Sequence, residues 1–167
     1  ILQCMGYFSY LKGTLRGDIK PNRVSWMMWS LAPLIGTGSA LASGSDVLPT
    51  VSIFLAGFLP LFVLIASFWN KKSEWRIGVF DVSCGFFSVL ALILWMLIHQ
   101  PLLALLFSAI GDFFAYIPTM KKAWTHPETE NGFPYITGII STVLILFSAP
   151  VWNVQNCGFQ LYLISAN

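Results

Sequence analysis

The chain is poor in charge. Asp, Glu, Lys and Arg make up 10% of its 167 residues, against 56% hydrophobic residues, and the mean hydropathy is +0.73. A water-soluble domain carries roughly 25% charged residues. This composition leaves too little polar surface to cover a globule in water, and lipid is the solvent it fits. Cysteine is scarce as well: Cys4, Cys84 and Cys157 are dispersed, odd in number and set in apolar surroundings. That pattern excludes a disulfide framework and a cysteine metal site. No tract of interleaved basic and aromatic residues suggests a nucleic-acid partner. A nucleophile–base pair, a metal-ligand set and a glycine-rich phosphate loop are also missing, which argues against an enzyme and implies no cofactor. His126, Glu128 and Glu130 crowd one loop, but their spacing fits no strong ligand pattern and reads as solvated.

The charge that is present is ordered. All nine Lys and Arg residues fall in three polar segments: Lys12, Arg16, Lys20 and Arg23; then Lys71, Lys72 and Arg76; then Lys121 and Lys122. The connections around Ser43–Pro49, His99–Pro101 and Trp152–Asn156 hold none. This every-other-loop alternation is what the positive-inside rule produces in a multi-spanning membrane protein.

A membrane-crossing helix needs about 20 apolar residues. Segments of that size run over Val24–Gly44, Thr50–Trp69, Ile77–Ile98, Pro101–Met120 and Phe133–Val151. Partial spans flank them at Ile1–Leu11 and Cys157–Asn167, and both chain ends read as truncated inside apolar runs. The expectation is an all-α polytopic membrane protein of seven helices, because the runs lack the alternation of a membrane β-barrel. With the basic segments cytoplasmic, the N-terminus is outside, the C-terminus inside, and the location is a cell (inner or plasma) membrane. Trp26, Trp69, Trp75 and Trp124 read as an aromatic belt at the basic edge, and Trp95 and Trp152 at the opposite one.

An internal repeat is visible. Phe8-Ser9-Tyr10-Leu11 matches Phe114-Ala115-Tyr116-Ile117 at an offset of 106 residues, which also pairs Pro21 with Pro127. Helices 1 and 5 are then equivalent, and helix 4 is an inverting linker between two parallel three-helix bundles. The expected organisation is 3+1+3: residues 1–70, a linker with helix 4 over 71–100, and residues 101–167.

This organisation resembles the SWEET and PQ-loop transporters, whose halves are parallel repeats. The segment Ala115-Tyr116-Ile117-Pro118-Thr119-Met120-Lys121-Lys122 is similar to the family's helix 5 end, where a Pro-Gln pair precedes a basic loop. Thr119 stands at the Gln position, and the first repeat has Lys12-Gly13 instead of the pair. Lys20-Pro21-Asn22-Arg23-Val24-Ser25-Trp26 resembles the helix 2 start of bacterial members. The resemblance implies transport of a small solute (a sugar or similar) by alternating access, with the solute held between the bundles. It implies helix bending at Pro33 and Pro118. It also implies solute contact at Asn167, which falls at the depth of a family Asn, whereas helix 3 has Leu61 at the equivalent place.

The residues themselves single out Asp112. A carboxylate at mid-helix costs about 2.5–3.5 kcal/mol in a bilayer and belongs on an inward face. Ser108, Asp112, Tyr116 and Thr119 share one helical stripe and are the expected substrate path. Two readings of Asp112 stand side by side: a proton-coupling or solute-binding group, and a structural hydrogen-bond partner. Gly36, Ala40 and Gly44 recur at small-residue spacing, which favours close helix packing over a pore-lining surface. The partners expected are the bilayer and one small solute. Proton coupling and homo-oligomerisation stay open. The runner-up function is a non-transporting scaffold or receptor-like protein of the same fold.

Overall fold

Long apolar runs punctuated by Gly, Pro and Asn dictate helices with sharp ends. The structure is a computed structural model that describes residues 2–42, 44, 47–98, 100–148 and 151–167. Among these it is all-helical, with seven α-helices and no strand: α1 (Leu2–Arg16), α2 (Arg23–Ala42), α3 (Val47–Trp69), α4 (Val79–Leu97), α5 (Pro101–Thr125), α6 (Phe133–Phe147) and α7 (Val154–Ala166). Short 3-10 turns occupy Lys71–Ser73 and Pro127–Thr129. Asp46, His99 and Pro150 lie outside the described residues.

The helix ends follow local chemistry. Gly17 adopts φ +88 after α1, and Gly17 N and Asp18 N both donate to Gly13 O. A glycine that tolerates this left-handed backbone is the common helix stop. Asn22 precedes α2, and its Oδ1 accepts from Val24 N at 3.1 Å, a side-chain N-cap. Pro101 opens α5 at a position where its missing N–H costs nothing. The basic residues are less confined to loops than the sequence suggested. Lys12 and Arg16 lie on α1, Arg23 opens α2, and α5 runs past Met120 to include Lys121 and Lys122. Lys and Arg are good helix formers, and cations favour a helix C-terminus.

The packing order is regular. α3 packs on both α1 and α2, while α7 packs on both α5 and α6. The two sets meet through α1 on α6 and α2 on α5, and α4 lies against α5 and α2. Exchanging α1, α2 and α3 for α5, α6 and α7 maps the contacts among these six helices onto themselves, while α4 packs on one side, against α5 and α2 alone. Two glycines mark where backbones come closest. A Cβ on Gly6 would lie 2.2 Å from Thr137 Oγ1 and 2.8 Å from Pro134 Cα, and one on Gly57 would lie 2.7 Å from Ser30 O. The Gly36–Ala40–Gly44 stripe, expected to pack tightly, does not do so. Gly36 meets only Ile53 Cγ2 at 3.6 Å, and Gly44 has nothing within 4 Å.

The distribution of polarity is inverted relative to a soluble globule. Thr14, Asn22, Ser25, Ser67, Ser73, Thr119 and Lys122 are buried, while Phe54, Phe62, Ile65, Phe86, Leu90 and Leu144 are exposed. Among the described residues one helix, α4, is long and apolar enough to cross a membrane. Shorter apolar stretches occupy Ile53–Trp69, Phe133–Phe147 and Cys157–Ala166. The belt expectation needs one correction. Trp69, Trp124 and Trp152 are exposed, but Trp26 is 1% exposed and is the centre of the core with Tyr10, Ile19 and Val63.

Candidate functional site

All seven helices line one cavity of about 640 Å3. That size lies within the roughly 300–1,000 Å3 of ligand sites. Its floor is built by α2 and α5. Pro33, Gly36 and Ala40 face it from α2, so the small-residue stripe makes room instead of contact. Ser108, Asp112 and Tyr116 face it from α5 at steps of four residues, as helical spacing requires. Asn167, just past the end of α7, also lines it.

Asp112 is the one charged residue on the lining, and among the described residues no Lys or Arg forms an ion pair with it. Tyr162 donates to its Oδ2 at 2.9 Å from α7. Tyr116 donates its hydroxyl to Asn167 Oδ1 at 3.2 Å, and Asn167 Nδ2 donates back to Leu163 O at 2.8 Å. Several lining hydroxyls are turned onto backbone carbonyls: Ser108 to Leu105, Thr142 to Gly138 and Ser88 to Gly111, at 2.6–2.8 Å.

Aromatic rings form the wall beside Asp112. Trp29 stands 5.2 Å from Tyr116 and 6.5 Å from Tyr135, and those tyrosines are 5.9 Å apart. Trp26 continues the wall at 5.4 Å from Trp29, with Tyr7 and Tyr10 at 6.0 and 4.6 Å from Trp26. The repeat offset pairs Tyr10 with Tyr116 and also Trp29 with Tyr135, and all four belong to this cluster. The Tyr135 hydroxyl is buried and has no hydrogen-bond partner.

A second constellation closes one end of the bundle, where the three basic segments meet. Lys122 Nζ donates to Glu130 Oε1 at 2.6 Å, to Thr129 O and to Lys20 O. Tyr10 donates to Glu130 Oε2 at 2.8 Å. The Lys122 and Glu130 side chains are 1% and 6% exposed, so the pair is buried and Glu130 is not the solvated loop residue the sequence suggested. Burial draws Lys122 below the ordinary lysine range, and Glu130 opposes that shift. Nearby, Asn22 Nδ2 donates to Asp81 Oδ1 at 2.9 Å while Gly78 N donates to Asp81 Oδ2 at 2.7 Å. Asp81 is therefore a buried joint between the start of α2 and α4. Arg23 Nη2 donates to Ser67 O at 2.7 Å and lies 4.2 Å from the Phe68 ring centre.

The structure thus brings four of the expected path residues to one cavity: Asp112, Tyr116, Ser108 and Asn167. Thr119 is elsewhere. It is buried and donates to Ser25 Oγ at 2.8 Å, tying α5 to α2. Pro33 lines the cavity, whereas Pro118 is fully buried outside its lining, and α2 and α5 continue through both prolines. Sequence reasoning missed Trp29, Tyr135 and Tyr162 as site residues. Their signal was slight, since aromatic residues on apolar helices are usually core or interface. The chain matches no protein-family model, no curated protein and no solved structure.

Proposed function

We propose that this is a polytopic membrane protein of SWEET/PQ-loop-like build, with seven spans arranged 3+1+3, which carries a small solute across the bilayer. The observation that carries the reading is a single cavity, lined from both helical sets, with one carboxylate and an aromatic wall. The inverted polarity supports lipid as the surrounding solvent. Large apolar side chains face outward while hydroxyls, amides and an ion pair are inside, and a membrane helix must satisfy its polar groups inwardly. The order α1–α3–α2 and α5–α7–α6 supports two equivalent bundles. Rocking of one bundle against the other would expose the cavity alternately. The meeting of the basic segments at one end supports a cytoplasmic face there, with the N-terminus outside.

The test is reconstitution of the full chain in liposomes with solute flux measured across sugars, amines and carboxylic acids. Saturable flux that falls in Asp112→Asn is the expected result. Absence of flux for every class would sink the carrier reading. The buried polar network at the basic end favours a second reading, a static receptor-like protein of the same fold, for which binding without flux is the signature.

A further inference from the structure

Taking the cavity as a solute site, as proposed above, we infer that its solute is an organic cation: a protonated amine or a quaternary ammonium. Three observations point the same way. The lining carries one negative side chain, Asp112, and no Lys, Arg or His. A charge inside a protein is stable only when paired or neutralised, and among the described residues no cation of the chain pairs with this one. Tyr162 and Trp29 supply hydrogen bonds, and neither brings a positive charge.

The aromatic wall is the second observation. Trp29, Tyr116 and Tyr135 are mutually 5.2–6.5 Å apart between ring centres and line the same cavity, with Trp29 in hydrogen-bond contact with Asp112. Rings around a cation, within about 6 Å of its charge, are the usual recognition of ammonium groups, with Trp the best of them. The third observation concerns what the cavity offers to other solutes. An anion would meet Asp112 with no basic partner. A polyol needs many free donors and acceptors, but Ser88, Ser108 and Thr142 each direct the hydroxyl proton to a backbone carbonyl, which leaves few, the Tyr135 hydroxyl among them. An ammonium needs a counter-charge and ring faces, and both are present.

The experiment compares choline with 3,3-dimethyl-1-butanol, its uncharged carbon analogue of the same shape, and with glucose. Binding to the purified full chain is read by quenching of tryptophan fluorescence, since Trp26 and Trp29 line the cavity. Choline is expected to bind at least tenfold more tightly than the alcohol. Asp112→Asn should shrink that ratio below threefold, and Trp29→Leu should weaken choline about fivefold with little change for the alcohol. The charge comparison is made on the parent chain, so it stands even where a variant fails to fold. Equal affinity for choline and the alcohol would overturn the cation assignment and leave the solute site intact. Saturable glucose binding without choline binding would do the same. No saturable signal from any of the three would overturn the site reading as well.

Discussion

Two carboxylates in this molecule, Glu130 and Asp112, have opposite surroundings. Glu130 accepts a hydrogen bond from Tyr10 and pairs with Lys122, and Lys122 in turn donates to two carbonyls. Every charge there has its counterpart within the chain. Asp112 has one phenolic hydrogen bond, and its side chain opens onto about 640 Å3 of cavity. A satisfied pair specifies how α1, α5 and the loop before α6 sit together. An acid with no internal cation that opens onto a cavity is where the proposed solute would bind. The contrast separates the residues that hold the bundle from those proposed to serve a ligand.

The largest expected effect breaks the satisfied side. Lys122→Met leaves Glu130 buried without its cation and should cost about 3–5 kcal/mol, as removal of one partner of a buried pair does. Thermal unfolding in detergent measures it, and the double variant with Glu130→Leu should recover much of the loss. A variant that melts like the parent would mean that the pair does not hold the end of the bundle. Next come two glycines. Gly57→Ala forces a Cβ within 2.7 Å of Ser30 O and should cost about 1–3 kcal/mol, while Gly36→Ala on the cavity wall should change stability by less than about 0.5 kcal/mol. Equal losses at the two would contradict the packing described. Asn22→Ala removes the amide that meets Asp81 Oδ1 and the cap of α2, and should cost about 1–3 kcal/mol. The smallest effect sharpens the other side of the contrast. Asp112→Asn keeps an acceptor for Tyr162 while removing the charge, so the ligand-free protein should change by less than about 1 kcal/mol. A loss as large as that of Lys122→Met would assign Asp112 a structural role.

Much of the fold was legible before any coordinates. Apolar runs of membrane length set the number and rough limits of the helices, because a helix satisfies its own backbone and needs only side chains that suit its solvent. The ends were less legible. α5 gained a turn beyond Met120 because Lys121, Lys122 and Trp124 continue a helix as readily as they occupy a loop. α6 ends at Phe147, four residues before the predicted Val151. That Asp112 and Tyr116 face inward, where the structure has them line the cavity, was legible because polar groups on an apolar helix must face inward. Glu130 was read as a solvated loop residue because a charge between spans is normally in water. Nothing in sequence spacing tells that Asn22 lies 59 positions from its partner Asp81, or Tyr10 120 from Glu130.

Composition and periodicity by themselves determined an all-helical chain, its basic ends and an inward-facing acid. Those depend on the polarity of each residue and its neighbours along one helix. Only the tertiary structure decided which acid is paired and which is not. It turned the small residues of α2 into a cavity wall, and brought Trp29, Tyr116 and Tyr135 to the cavity that Asp112 lines. Pairing depends on distances between helices, set by where a glycine lets two backbones approach and where bulkier side chains hold them apart.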